Sequence, residues 1–174
     1  ETVALDISLH PTETRVKSRL KIKPNPLNPD PKAPLTLDGE MLELESVKLD
    51  GKALGATDYD TTPAALIVRR LPQGASCAVE ITTRINPEAN KALNGLYRSR
   101  GIYTTQCEAE GFRRITYFLD RPDVLSVYTV RIEAEPEAAP VLLSNGNPSE
   151  RGTLDRGRRH RLLDAPCHHF RMLD

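Results

Sequence analysis

Apolar and polar residues alternate along most of this chain with a period of two. The alternation runs through residues 3–10 and again through 15–23, on either side of the short polar segment 11–14. Because successive side chains of a strand point to opposite faces, the pattern predicts a β-hairpin with one face toward a core and the other toward water.

The same alternation recurs in short segments separated by turns rich in Gly, Pro and Asn. The aromatic and β-branched segment 115–119 also favours a strand. Asp50-Gly51 is typical of a hairpin turn, whereas the proline-rich segment 24–31 cannot continue a ladder and is predicted to be a loop. The alternation predicts further strands at 35–38, 42–49, 59–60, 65–68, 77–85, 128–134 and 141–143, and two more flanking 155–157, the last ending near Phe170.

The number and spacing of these segments indicate the fold class. No long apolar repeat of 3.6 residues appears, and only residues 88–94 are compatible with one helical turn. Many short strands between turns predict an all-β fold, a sandwich or open barrel of antiparallel strands with at most one or two short helical turns. The length of 174 residues is that of one domain, and no internal repeat points to a second.

The stretch 105–111, Thr-Gln-Cys-Glu-Ala-Glu-Gly, carries a row of polar groups. If it continues as a strand, Gln106, Glu108 and Glu110 share one face, opposite the small apolar residues between them. That face is then a stripe of oxygen acceptors. An ordinary solvated strand face and a site for a small cation both fit this arrangement, and the residues alone favour the solvated face.

The charge balance and the cysteine content indicate which binding partners and which cellular compartment to expect. The chain carries 24 Lys and Arg residues against 24 Asp and Glu, so its formal net charge is zero. We therefore expect no nucleic acid and no membrane surface as partners, since both require a basic field. No segment reaches the roughly 18 apolar residues of a membrane-spanning helix, and no signal-peptide pattern opens the chain. Three cysteines without a C-x-x-C pair favour a reduced, cytoplasmic setting.

The segment Cys167-His168-His169 is the strongest metal-site candidate on composition. Adjacent residues of a strand point to opposite faces, so these three side chains cannot easily close on one ion, and no fourth ligand is apparent. We therefore expect no metal ligand in this chain; the resemblance described next also implies that it holds no catalytic residue.

Three segments carry a resemblance to a known family. They are Gly95-Leu96-Tyr97, the long run TQCEAEGFRRITYFLDRPDV at 105–124, and LLSNGN at 142–147. From Asn94 onward the chain resembles the amino-terminal domain of the aminopeptidase N family of zinc metallopeptidases. Many members read F-P-C-x-D-E-P where this chain has YFLDRP at 117–122, a form similar to that of the bacterial branch. The strand-rich first hundred residues fit the saddle-like β domain of that family.

The resemblance implies that this chain is one domain of a longer polypeptide and that another domain carries the catalytic residues. The motifs H-E-x-x-H and G-x-M-E-N, which hold zinc and substrate in the family, occur nowhere in this sequence. Residues 1–174 are therefore expected to be a single amino-terminal domain without activity of its own. The full-length enzyme would use zinc to remove single amino-terminal residues from peptides. The expected partners are a peptide amino terminus and the catalytic domain of the same polypeptide.

The resemblance also assigns substrate-binding roles to two residues of the acceptor stripe. Glu108 matches the position that helps hold the substrate α-ammonium group, a cation that shares its donors with oxygen acceptors. Gln106 matches a residue that lines the pocket of the first side chain, whereas Glu110 has no family role. For the charged cluster that follows, a structural network at a corner of the domain is favoured over an active-site role. That cluster comprises Arg113, Arg114, Asp120, Arg121 and Asp123.

A stand-alone β-sandwich module that binds a protein or a carbohydrate remains the alternative. Carbohydrate modules display exposed aromatic platforms, and this chain has five Tyr, three Phe and no Trp. A domain that docks on a catalytic domain is instead expected to expose a large apolar patch. We expect that patch near Tyr97, Phe112 or residues 170–173.

Overall fold

The computed structural model describes residues 2–27, 30, 32–72, 74–154 and 159–165, the last range by its backbone alone. These residues form strands and a single turn of 3-10 helix, Phe112–Arg114. The strands are β1 (Thr2–Ser8), β2 (Thr14–Ile22), β3 (Leu35–Asp38), β4 (Glu43–Leu49), β5 (Lys52–Ala53), β6 (Tyr59–Thr62), β7 (Ala65–Val68), β8 (Cys77–Ile85), β9 (Gly95–Ser99), β10 (Ile102–Gln106), β11 (Val127–Ala134), β12 (Asn147–Thr153) and β13 (Arg159–Ala165).

The strands form three sheets, and the predicted all-β class is confirmed. The largest sheet has eight strands in the order β12-β13-β11-β1-β2-β8-β4-β5, and the others are β3-β7-β6 and β10-β9. None of these sheets closes into a barrel. Neighbouring strands are antiparallel, as expected, except that β1 and β11 run parallel. Strand β11 lies far along the chain from β1, which leaves room for the long crossover connection that a parallel pair requires.

The alternation in the first hairpin correctly predicts which of its side chains are buried. Every second residue of β2, from Thr14 to Leu20, is buried, and the residues between them are exposed. The hairpin turn at Asp50-Gly51 is also confirmed: both residues have positive φ, 48° and 80°, and β4 pairs with β5 across them. A period-two pattern therefore locates the core face of these strands correctly.

Three local predictions are wrong. Residues 88–94 form a turn at 88–89 and irregular backbone beyond it rather than a helical turn. The Asn90 amide donates to the carbonyl oxygens of Asn94 and Leu96 and so competes with helical bonding. Residues 141–143 form no strand. Residues 115–119 form no strand either: four consecutive side chains, 115–118, are buried, and the segment makes only one bridge, between Phe118 and Asp38.

The segment 112–120 is held between the sheets by aromatic packing. The Phe112 ring lies edge-on to Phe118, with 5.1 Å between ring centroids, and edge-on to Tyr128 of β11, at 6.0 Å. Such pairs contribute about 0.5–1.5 kcal/mol each beyond the burial of their area. Phe112 follows Gly111 at the end of the 105–111 stretch, so this aromatic cluster fixes where that stretch ends.

Candidate functional site

The acceptor stripe is divided between a strand and a turn. Strand β10 ends at Gln106, and Glu108, Ala109 and Glu110 lie in a turn that closes with a 2.8 Å hydrogen bond from the Gly111 N–H to the Cys107 carbonyl. The prediction that Gln106, Glu108 and Glu110 share one strand face is therefore wrong. All three residues from 108 to 110 are exposed, while Cys107 is buried. The Glu108–Ala109 peptide bond is cis.

The turn closes here because two glycines allow backbone segments to approach closely. A Cβ on Gly111 would overlap Asn94 Oδ1 and would lie 2.6 Å from the Gln106 carbonyl oxygen and 2.7 Å from the Cys107 Cα. Gly95, at φ +77°, packs against Arg114 in the same way. The segment that opens β9 thus fixes the path of the chain at the end of β10.

Gly111→Ala is expected to destabilise the protein by about 1–3 kcal/mol, the usual cost of overpacking. Two of the three overlapping groups are backbone atoms, which cannot rotate away. Gly55→Ala is the matched control, since the nearest atom to its Cβ would be Asp58 Oδ2 at 3.6 Å. Urea unfolding midpoints of the two variants test this prediction, and equal midpoints would contradict it.

The two glutamates of the turn differ in their contacts. The Glu110 carboxylate lies 3.4 Å from the Arg113 guanidinium, as an ion pair in which Glu110 remains 63% exposed. The side chains of Gln106 and Glu108 make no hydrogen bond or ion pair with other residues in the described part of the chain. Glu108 thus presents an uncommitted carboxylate to solvent, and Gln106 an uncommitted amide two residues earlier.

Arg113 is held from behind by a buried carboxylate. Its Nε and its backbone N–H donate to Asp120 Oδ2 at 2.9 and 3.1 Å, and its Nη2 donates to the Asp120 carbonyl at 2.9 Å. The Asp120 side chain is fully buried. Burial lowers the pKa of Arg113, but the hydrogen bond and the charge of Asp120, with Asp38 and Glu110, raise it above its usual value. The guanidinium therefore stays charged.

The remaining charged residues of the cluster pair separately. Arg114 contacts Glu40 at 2.9 Å, and Arg121 forms an exposed pair with Asp123 at 3.0 Å. Within the cluster, Arg113 and Asp120 form a buried ion pair and Arg121 and Asp123 an exposed one. A single network joining all five residues stays a prediction. The sequence identified these residues as a cluster but did not identify their partners.

Cys107 lies at the buried start of the turn and does not supply a nucleophile. Burial, and secondarily the charge of Asp120, raises the pKa of its thiol to about 12. Because the thiolate is the reactive form, this cysteine stays inert near neutral pH. Cys77 is likewise a free, buried thiol.

The described residues hold neither a metal-binding cluster nor a membrane-spanning helix. Within them, no group of three or more His, Cys, Asp or Glu side chains is placed to hold a metal ion. Cys167, His168 and His169 lie outside the described residues. No helix in the described ranges has the length and apolar character needed to cross a membrane.

An apolar groove of about 330 Å³ lies between the β9–β10 hairpin and the segment 138–143. Three of its lining residues, Ile102, Val141 and Leu143, are between 68% and 74% exposed. The expected apolar patch does not include Phe112, which is only 3% exposed because it packs into the aromatic cluster. Tyr97 is half-buried, and residues 170–173 lie outside the described part of the chain.

Comparison with known sequences relates most of the chain to one family. Residues 2–164 match the family model described as the peptidase M1 N-terminal domain. The chain is 49% identical over 158 residues to aminopeptidase N of Caulobacter vibrioides, a match that covers 91% of this chain and 18% of that protein. It is 47% identical over 126 residues to aminopeptidase N of Escherichia coli, with 72% and 14% covered. The chain thus spans less than a fifth of the length of these curated relatives.

Solved structures show the same fold. Aminopeptidase A of Legionella pneumophila, in complex with aspartic acid, matches with a TM-score of 0.87 and 34% identity over 94% of this chain and 19% of that one. An M1 zinc metallopeptidase of Deinococcus radiodurans matches with a TM-score of 0.77 over 94% of this chain and 38% of that one. At 15% identity the second likeness shows the fold alone.

Proposed function

The chain belongs to the family of peptidase M1 N-terminal domains, and from that premise we propose that residues 1–174 form the amino-terminal domain of a zinc-dependent aminopeptidase. The full-length enzyme removes single amino-terminal residues from peptides. The relatives named aminopeptidase N support this proposal, because the chain aligns with less than a fifth of their length and leaves room for a separate catalytic domain.

The zinc ligands of that enzyme are proposed to lie in the part of the polypeptide outside residues 1–174. The sequence has no H-E-x-x-H motif, and the described residues include no group of three potential ligands. A zinc ion needs three or four ligands placed around it, with one position open in a catalytic site. The described residues therefore do not fit a zinc site, and the proposed contribution of this domain to the reaction is substrate binding.

Glu108 is proposed to hold the α-ammonium group of the substrate. An enzyme that removes one residue must measure from the free amino terminus, which is a cation with three donors. A carboxylate satisfies both its charge and its donors. The observation that carries this proposal is that Glu108 has no partner among the described residues, whereas the neighbouring Glu110 is paired with Arg113. Gln106, at the end of β10, is proposed to line the pocket of the first side chain.

The apolar groove beside the β9–β10 hairpin is proposed to face the catalytic domain. Ile102, Val141 and Leu143 are too exposed to contribute to the core of this domain. Ile102 opens β10, the strand that ends at Gln106, so a partner covering the groove would also approach the acceptor residues. Covering these side chains would add apolar burial at about 25 cal/mol per Å².

The setting is proposed to be cytoplasmic, with neither nucleic acid nor a membrane as partner. Zero net charge and cysteines without a C-x-x-C pair support this proposal.

Purified chain of residues 1–174 is expected to bind no stoichiometric zinc and to hydrolyse no leucine or alanine amide, because it lacks the zinc motif. Metal analysis and a chromogenic amide assay check this expectation. Tight zinc with chelator-sensitive turnover would overturn the proposed division of labour. A reading frame that continues past Asp174 into H-E-x-x-H would separate this proposal from a stand-alone binding module.

A further inference from the structure

The buried pair of Arg113 and Asp120 lies directly after the turn that presents Glu108. We propose that Arg113 is a positioning residue. Its three hydrogen bonds to Asp120, called the clamp below, fix the 107–111 turn and thereby orient the Glu108 carboxylate toward the substrate ammonium group. This inference rests on the proposed function of Glu108.

The Asp120 end of the clamp is anchored to another part of the fold. The Asp120 N–H donates to Asp38 Oδ2 at 3.1 Å. The backbones of Asp38 and Phe118 exchange two hydrogen bonds, of 2.7 and 3.0 Å. Because Asp38 ends strand β3, the buried carboxylate has a fixed position relative to a sheet.

The Arg113 end of the clamp is connected to the turn through the backbone. Asp120 accepts from the Arg113 backbone N–H as well as from its side chain, so both the main chain and the guanidinium are held. The next residue, Arg114, donates its N–H to the Gly111 carbonyl at 3.1 Å, and Gly111 donates to the Cys107 carbonyl at 2.8 Å. Two consecutive hydrogen bonds thus extend from the clamp across the turn that contains Glu108.

An arginine suits this position better than a lysine because its contacts with Asp120 use two separate nitrogens. Nε donates to the Asp120 carboxylate and Nη2 to the Asp120 carbonyl. A lysine ammonium is a single point charge and cannot reproduce this fork. The contact of Arg113 with Glu110 is exposed and 3.4 Å long, so it contributes little. The effect of Arg113 on Glu108 is therefore carried by Asp120 and the backbone.

The test uses two inhibitors of the full-length enzyme that differ only in the α-amino group, leucine hydroxamic acid and 4-methylpentanehydroxamic acid. The ratio of their inhibition constants measures recognition of the ammonium group and does not depend on the amount of folded enzyme. Arg113→Met is expected to lower the wild-type preference for the amino compound about tenfold, a partial loss of a charge-assisted hydrogen bond. Arg113→Lys is expected to lower it by a smaller factor.

Three further variants distinguish the outcomes. Arg121→Met, which removes an exposed arginine paired with Asp123, should leave the preference unchanged. Glu108→Ala should lower it, and adding Arg113→Met to Glu108→Ala should lower it no further, since both act on one interaction.

The positioning role is overturned if Glu108→Ala lowers the preference while both Arg113 variants leave it unchanged. If Arg113→Met does not fold, Arg113→Lys alone decides between these results. A Glu108→Ala variant with wild-type preference would instead overturn the proposed function, and the inference with it.

Discussion

Replacing Glu108 with alanine is expected to lower kcat/KM of the full-length aminopeptidase ten- to a hundredfold. The carboxylate would meet the substrate ammonium in a pocket partly shielded from water, where a charge-assisted hydrogen bond is worth about 1.5–3 kcal/mol. About 1.4 kcal/mol corresponds to one factor of ten in rate. Glu108→Gln keeps the shape and one acceptor but loses the charge, so a smaller loss is expected. Steady-state kinetics on a chromogenic amino acid amide measures both.

Glu110→Ala is the matched control for this substitution. Glu110 lies in the same turn, but it is 63% exposed and paired with Arg113, so its removal should leave kcat/KM near the wild-type value. Zinc content should be unchanged in both variants. Substrates with a blocked amino terminus should be poor for the wild type and indifferent to Glu108→Ala. A large effect of Glu110 with none of Glu108 would show that the two roles had been exchanged.

Replacing Asp120 with alanine is expected to destabilise the domain by about 3–5 kcal/mol, the usual cost of removing one partner of a buried ion pair. Asp120 is fully buried, and the Arg113 side chain is 16% exposed. Without Asp120, the guanidinium loses its main counter-charge in a site that water reaches poorly. Urea unfolding of the chain of residues 1–174 measures the change.

Asp123→Ala provides the comparison for Asp120. Asp123 is 68% exposed and pairs with Arg121 at the surface, so its removal should cost about 0–1 kcal/mol. The double variant Arg113→Met/Asp120→Ala should lose less than the sum of its single variants, because no unpaired charge remains. Equal effects of Asp120→Ala and Asp123→Ala would show that the buried pair contributes no more than a surface pair.

The candidate site shows how far local sequence information extends. The contiguous run at 105–124 led to Gln106 and Glu108, and their substrate-binding roles remain predictions. The strand register assumed for them was wrong beyond Gln106. Alternation through residues 106–110 is compatible with a strand, but Gly111 lies so close to Asn94 and Cys107 that the chain turns there instead. Sequence alone does not show which segments approach each other so closely.

The sequence by itself determined the all-β class, the first hairpin and the Asp50-Gly51 turn. These features depend on the two-residue period of a strand and on the backbone preferences of single residues, so they are readable locally. Only the tertiary structure decided that Glu110 is paired, that Glu108 has no partner among the described residues, and that Asp120 is the buried partner of Arg113. Asp120 is positioned by Asp38, 82 residues earlier in the chain. Such a contact depends on how the sheets pack, and no pattern of neighbouring residues encodes it.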